Sequence, residues 1–553
     1  MNNENIADLL FPDIDKTVEY YKEKYPNRNL VEGAKVTRFA PSPTGFMHVG
    51  NFLQAIISYI NAYNSKGVFY LRNEDTDKKR EIEGAVELIF GTLKNYEMTP
   101  NEYEINGEIV GNYGPYVQSE REEIYQTFIK HFITIGRAYP CFCTAEDLES
   151  MREHQTSNKK RIGYYGKYAK CRELKYEEVE EKIKAGIPYV IRFKSMGNPR
   201  EKIKFYDEVK GEIEFPENDN DIVIMKSDVK LPTYHFAHLV DDYLMGTTHV
   251  TRGEEWLSSV PVHVELFKAL GAKAPKYIHN PLVMKKEGEV VRKLSKRKDP
   301  ECSMNYYDEL GFPNICVVES LMTIINSNYE EWRDKNPDKH FTEFSFSPKK
   351  MSSSGGLYSI EKLENISKNY ISKLAAKDVY ENLLTWTSKY DEEFNEILKN
   401  NKEYAISILN IEREQKKPRK DFSCYSEIKN SLFYMFEELF NKDLEEYEFN
   451  ENISNENIKE VLAKYIEVYE ETDDKDMWFT KCKDLCDSLN FASNMKEYKE
   501  RPEDFVGNIA DLTTIIRVAI TTKTNTPDLY ELLKLLGKEK VNTRFQKVIN
   551  NLK

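Results

Sequence analysis

Residues 38–50 read RFAPSPTGFMHVG, and the fold turns on how this stretch is understood. Just before it, KVTRF (35–39) has the β-branched and aromatic texture of a short strand. Just after it, Phe52, Ala55, Ile56, Tyr59, Ile60 and Tyr63 recur at helical spacing. Between the two stand two prolines, two glycines and a histidine. Pro and Gly punctuate loops everywhere, so a turn followed by a capped helix accounts for the local pattern. A strand whose Gly-containing loop opens a helix is also a place for phosphate or nucleotide, because the helix start offers free N–H groups and a positive dipole end. In that reading Gly50 lets an adenine or ribose approach the backbone. His48 then donates to phosphate oxygens as charge develops on them. No GKS or GKT follows, which separates the pattern from a P-loop.

The neighbouring sequence extends the strand–helix reading. GVFYLR (67–72) reads as a second strand, and Thr76 or Asp77 is expected to cap a helix carrying Ile82, Val86, Ile89 and Leu93. Strand, helix, strand, helix predicts a doubly wound parallel sheet. Residues 112–232 have a mixed texture, with PYVIRFK, EIEFP and DIVIMKSD as strands, and read as an insertion between the halves 36–111 and 233–310. Beyond 310, helical periodicity dominates, as in IEKLENISKNYISKL (360–374), with SSSGG (352–356) as a linker. Residues 1–35 form an N-terminal extension in which Val18, Tyr21 and Tyr25 lie at helical spacing before a break at PNRN.

Composition bounds the function. The 553 residues leave room for roughly three to five domains. With 40% apolar and 12% aromatic residues there is material for real cores. No apolar run approaches the roughly 20 residues of a membrane-spanning helix. MNNENIADLLFPDIDK lacks a basic segment followed by an apolar one. A cytoplasmic location is therefore expected. Eight cysteines in so long a chain do not make a disulfide framework, and a reducing compartment suits them. The net charge of −14 argues against bulk binding to nucleic acid but leaves a local basic footprint open.

Such a footprint stands at VRKLSKRK (291–298), with five basic residues and with Lys285 and Lys286 just upstream. By itself it is a solvated charge run or a mobile loop that grips a triphosphate. Together, HVGN (48–51) and KLSKR (293–297) resemble the HIGH and KMSKS signatures of class I aminoacyl-tRNA synthetases. The likeness narrows with YLRNEDTD (70–77), GPYVQSER (114–121), YPCFCT (139–144), LPTYHFAHLVDD (231–242) and HVTRGEEWLSS (249–259). Block after block, residues 36–300 resemble the glutamyl-tRNA synthetases, and the helical C-terminal part resembles the bacterial type.

The resemblance implies a Rossmann-type catalytic domain (36–111 and 233–310) and an inserted domain that binds the tRNA acceptor end (112–232). It further implies a stem-contact helical domain (311–375) and an all-α anticodon-binding region (376–553). It implies ligation of L-glutamate to tRNA(Glu) through a glutamyl-adenylate, with ATP and Mg²⁺, by a monomer. His48, Gly50, Lys293 and Lys296 would carry the chemistry, joined by Asn51, Glu255 and Ser295 around ATP. Arg38, Ala40, Ser42, Glu74, Tyr234, His238 and Arg252 would bind glutamate, with Glu74 on the ammonium and Arg252 on the side-chain carboxylate. A bidentate guanidinium favours a carboxylate over an amide, which points to glutamate rather than glutamine. Glutaminyl-tRNA synthetase and an inactive tRNA-binding relative are the alternatives.

Some members of this family hold zinc through a Cys-x-Cys pair, a later Cys and a His or Tyr. Cys141, Cys143 and Cys171 match the thiols, but Glu173 stands where a His is found, with Tyr164, Tyr165 and Tyr168 nearby. Reduced structural cysteines are the other reading. His235, His238, His249 and His263 invite a metal reading too, although motifs already explained contain them. Where the family has HxGGAR this chain has HVGNFL, so Asn51 replaces a Gly and Leu53 an Arg. EREQKKPRKDF (412–422) is a basic stretch suited to anticodon bases or, equally, a solvated loop.

Overall fold

The computed structural model describes residues 3–77, 81–442 and 447–552. The chain divides into two compact units: 1–307 with 317–360, and 308–316 with 361–553.

The first unit is organised by a six-stranded sheet. Its elements run β1 (Val36–Phe39), α1 (Val49–Asn64), β2 (Val68–Leu71), α2 (Ala85–Asn95), β3 (Lys202–Asp207), β4 (Gly211–Pro216) and α3 (Tyr234–Leu244). β5 (His249–Gly253), α4 (Val260–Ala269) and β6 (Lys276–Asn280) complete it. The strand order is β2-β1-β5-β6-β3-β4, parallel throughout except for the β3–β4 hairpin at the edge. All four residues of β1 are buried, as expected for a parallel strand covered on both faces. The return from α1 into β2 is tight: a side chain at Gly67 would collide with the backbone of Lys35.

Three local expectations need correction. α2 begins at Ala85, behind Gly84 in the left-handed conformation (φ 77°) and without a side-chain cap, so neither Thr76 nor Asp77 caps it. SSSGG is not a free linker, because Gly356–Tyr358 forms a strand parallel to Val283–Lys285. EIEFP lies in β4, which joins the catalytic sheet through β3, so the interruption drawn at 112–232 contributes two strands to that sheet. The other two strands read from that stretch, Val190–Phe193 and Val223–Met225, form a separate three-stranded sheet with Ala138–Cys141.

The N-terminal extension is docked. Its helices Asn3–Leu10 and Val18–Lys24 share a core with helix Glu122–Thr134. Arg28 grips Glu102 bidentately at 2.6 and 2.8 Å, donates from Nε to the Met245 carbonyl at 2.8 Å, and stacks 3.8 Å from the Tyr113 ring. The second unit is built from helices around one apolar core running from Ile371 to Val548. Its only strands among the described residues are the two-residue pair 491–492 and 507–508. No helix among the described residues is long and apolar enough to cross a membrane.

Candidate active site

The chain leaves β1 toward β2 on one side and returns to β5 on the other, so the topology reverses between β1 and β5. Crevices at the carboxyl ends of strands flanking such a point are where doubly wound sheets bind ligands. A cleft of about 470 Å³ opens there. Its walls include His48, Gly50 and Asn51 from the start of α1, Gly253 and Glu255 beyond β5, Asn280 at the end of β6, and Lys293, Ser295 and Lys296. The residues that sequence reading assigned to ATP thus face one space.

His48 is the N-cap of α1: the Asn51 N–H donates to its Nδ1 at 3.2 Å. Burial, aided by the ammonium groups of Lys296 and Lys293, lowers its pKa from 6.5 to about 4. The ring is therefore neutral at physiological pH. With Nδ1 occupied as an acceptor, its proton sits on Nε2, a donor without a formal charge. A side chain at Gly50 would press on this ring at 3.2 Å. The glycine therefore makes room for the His48 ring as well as lining the cleft. Asn51, the departure from the family pattern, supplies the capping N–H.

The KLSKR loop follows a hairpin of Val283–Glu287 and Val290–Lys293. Asp299 braces it, accepting from the Ser295 N–H at 2.8 Å, from Arg292 at 2.7 and 2.8 Å, and from Lys285 at 3.2 Å. The bonds from Arg292 hold the Asp299 carboxyl well below the usual range. Lys293 and Lys296 stay exposed at the cleft.

Beside the cleft lies a buried charge cluster. Arg72 bonds Asp242 at 2.8 Å and Glu74 at 2.9 Å. Arg121 bonds Asp241 at 2.8 Å, and Gln118 and Tyr125 donate to the other oxygen of Asp241 at 2.8 Å. Arg38 lies 3.4 Å from Asp242 without a hydrogen bond from Nε, and its Nη1 donates to the Thr251 carbonyl at 3.1 Å. Three guanidinium groups thus balance three carboxylates. Burial raises the pKa of Glu74 against the pull of Arg72 and Arg38. An arriving ammonium group would favour its ionised form.

Arg252 is the exception. It is 3% exposed, and no carboxylate among the described residues lies within ion-pair distance of it. Its Nε donates to His279 Nε2 at 2.9 Å and its Nη1 to His263 Nδ1 at 3.0 Å, both neutral imidazoles held so by burial. A buried cation without a counter-ion is costly to fold around and attracts an anionic ligand. Tyr234 stands near it, its ring 4.2 Å from that of Trp256. Ala40 is half-buried and Ser42 exposed in the loop after β1, where the Glu74 N–H donates to the Pro41 carbonyl at 3.0 Å.

His238 is placed differently from expectation. It is fully enclosed, its Nδ1 donating to Asp242 and its Nε2 accepting from the Tyr277 hydroxyl at 3.1 Å. With both nitrogens satisfied it braces Asp242 and offers no hydrogen bond to a ligand. The histidines form no metal cluster: among the described residues the only metal-sized group is Cys141, Cys143 and Cys171.

The sulfurs of that trio lie within 4.8 Å of one another, Cys143 and Cys171 at 3.7 Å. A tetrahedron with Zn–S bonds of 2.3 Å has an edge of about 3.8 Å, so the thiols fit zinc. The Tyr164 hydroxyl stands 3.4 Å from Cys141 and 3.3 Å from Cys143, at the open corner. Glu173 turns away to Lys194 at 3.0 Å.

In the basic stretch 412–422 both arginines are structural. Arg413 donates to the carbonyls of Ile371, Leu374 and Leu409, and Arg419 pairs with Asp421 at 2.6 Å. Lys416, Lys417 and Lys420 remain exposed.

Sequence reading missed Asp207 and His279. They lie on separate strands outside any recognised block, and no local spacing connects them.

Comparison with known proteins accords with this geometry. Residues 35–341 match the family of class I tRNA synthetases (E and Q), catalytic domain, and residues 416–549 match an anticodon binding domain. The chain is 46% identical to the glutamate–tRNA ligase of Clostridium beijerinckii over the whole of both chains. It is also 46% identical to that of Acetivibrio thermocellus, over 99% of this chain and 100% of the relative. Among solved structures it resembles a glutamate tRNA ligase from Elizabethkingia meningosepticum in complex with its amino acid. There the TM-score is 0.70 at 26% identity, over 94% of this chain and 100% of the other. The chain belongs to the class I tRNA synthetases of the E and Q type, and within them to the glutamate–tRNA ligase family.

Proposed function

We propose that this chain ligates L-glutamate to the 3′ end of tRNA(Glu), with conversion of ATP to AMP and diphosphate. The observation that carries this reading is Arg252, a buried guanidinium held only by neutral acceptors beside a nucleotide-sized cleft. A substrate side-chain carboxylate supplies the missing charge. A glutamine amide does not, which separates the two amino acids on electrostatics.

In the first step an oxygen of the α-carboxylate attacks the α-phosphorus of MgATP. A P–O bond to the acyl oxygen forms and the bond to diphosphate breaks. The chemistry calls for alignment and charge stabilisation rather than a protein nucleophile. Lys296 and Lys293 neutralise the departing diphosphate, and the Nε2–H of His48 donates to a phosphate oxygen. Glu74 holds the α-ammonium, with Arg38 and Tyr234 closing the pocket. In the second step a hydroxyl of the terminal tRNA ribose attacks the acyl carbon, AMP leaves, and the hydroxyl proton passes to solvent or phosphate.

Cys141, Cys143 and Cys171 are proposed to hold zinc, with Tyr164 or water as fourth ligand. The ion would act as a structural cross-link, since its thiols lie among buried residues away from the cleft lining. Residues 376–553 are proposed to read the anticodon, with exposed Lys416, Lys417 and Lys420 as phosphate contacts. Charging assays with purified tRNA(Glu) and radiolabelled glutamate or glutamine test the reading. Acceptance of glutamate alone supports it, and preference for glutamine overturns it.

A further inference from the structure

Three adjacent strands bring three buried side chains into a line. Arg252 on β5 lies opposite His279 on β6, and Asp207 at the end of β3 pairs in register with Tyr277 of β6. Asp207 and His279 are fully enclosed. The Asp207 Oδ1 accepts the N–H groups of Val209 and Lys210, each at 2.9 Å. Its Oδ2 accepts the Nδ1–H of His279 at 2.7 Å. The His279 Nε2 accepts the Nε–H of Arg252 at 2.9 Å.

Each link constrains the next. An Arg Nε carries only a donor, so the facing imidazole nitrogen must present its lone pair. The proton of His279 is then on Nδ1, where Asp207 takes it. Asp207, held ionised by two backbone N–H groups and the ring, locks that tautomer.

We propose that Asp207 and His279 are positioning residues that aim Arg252 at the substrate's side-chain carboxylate without neutralising it, and so set the preference for glutamate over glutamine. The inference rests on the reading that Arg252 meets that carboxylate. A carboxylate in direct contact would orient Arg252 equally well but cancel its charge, as Asp242 does for Arg72 at 2.8 Å. The interposed imidazole fixes the edge of the guanidinium with a neutral acceptor, and places the compensating charge one ring farther away. His263 repeats the device on Nη1, accepting on Nδ1 at 3.0 Å while its Nε2–H donates to His235 Nδ1 at 2.9 Å. Nη2 makes only a long bond, to the Trp256 carbonyl at 3.4 Å, and the other N–H groups of Arg252 are left for the substrate.

The test is steady-state aminoacylation of tRNA(Glu) by the full-length enzyme, with KM for glutamate and for ATP measured separately and glutamine tried as substrate. His279→Leu removes the acceptor, and His279→Gln keeps an uncharged one. The relay predicts that Leu raises the glutamate KM at least about tenfold, the effect of losing one hydrogen bond to a charged group. The ATP KM should stay within about twofold and the glutamate-to-glutamine preference should fall, with Gln restoring most of both. If the Leu variant does not fold, Asp207→Ala decides, with the same split expected. Equal losses in glutamate KM, ATP KM and kcat would indicate a merely structural role and overturn the proposal, as would a glutamate KM unchanged in a folded variant. Arg252→Ala is run alongside. If it too leaves the glutamate KM unchanged, the fault lies with the reading of Arg252 rather than with the relay.

Discussion

Replacing Arg252 with Met should abolish glutamate use without destabilising the free enzyme. In the folded chain this guanidinium is 3% exposed and meets two imidazole nitrogens at 2.9 and 3.0 Å, but no carboxylate among the described residues. A buried ion whose nearest opposite charge, Asp207, stands a full imidazole away still costs several kcal/mol, and two neutral hydrogen bonds return about 1 kcal/mol each. Met of similar length removes the desolvation cost and leaves two imidazole lone pairs unfilled, so the two effects nearly cancel. In the complex the balance is different. Losing a buried bidentate guanidinium–carboxylate pair costs about 3–5 kcal/mol, which is roughly 150- to 5,000-fold in kcat/KM for glutamate. The assays are aminoacylation kinetics and thermal melts of the apo protein with and without glutamate. A Tm within a few degrees of the parent and a collapsed kcat/KM are expected, since about 1 kcal/mol moves Tm by only 2–4 °C in a domain of this size. A fall of ten degrees or more in the apo Tm would show that Arg252 is a structural residue, and would refute the argument from its missing counter-ion.

Other expectations follow from the same geometry. Lys296→Ala should lower the rate of adenylate formation far more than it weakens tRNA binding; equal losses in single-turnover and filter-binding measurements would contradict its assigned place. Asp242 is held well below the usual carboxylate range, mainly by Arg72 and Arg38 against burial. Its contribution is therefore complete above the unfolded pKa of about 4 and is lost as pH falls below that value. Asp242→Asn should cost about 3–5 kcal/mol at pH 7 and flatten the acid limb of a urea-unfolding series, and an unchanged acid limb would count against it. The purified protein should contain one zinc per chain, released by a thiol-modifying reagent, with Cys143→Ser lowering metal content and Tm together. Full stability without metal would leave the trio as plain reduced thiols.

The catalytic frame is legible in the sequence because its determinants are local. RFAPSPTG carries the turn after β1, and the stripe from Phe52 to Tyr63 announces α1. KLSKR declares its charge. What escapes local reading depends on which strands become neighbours. KIKFYD and GEIEFP alternate like any hairpin, and nothing within them says that Lys202–Asp207 will lie parallel to Lys276–Asn280. For the same reason Asp207 and His279 carry no signal, since 72 positions separate them along the chain and only the sheet joins them. His238 shows the converse limit. Its place in LPTYHFAHLVDD identifies the pocket, but whether a ring nitrogen is free depends on Asp242 and Tyr277, and both are taken. The start of α2 is not legible because an Asp or Thr looks like a cap in any sequence, whereas here a left-handed turn at Gly84, without any side-chain cap, begins the helix.

The most direct test of the account is ATP–diphosphate exchange with glutamate and with glutamine, each in the presence of tRNA(Glu). The account predicts exchange with glutamate and none above background with glutamine, because only the acid completes the charge around Arg252. Exchange driven by glutamine, or none with glutamate and cognate tRNA, would contradict it.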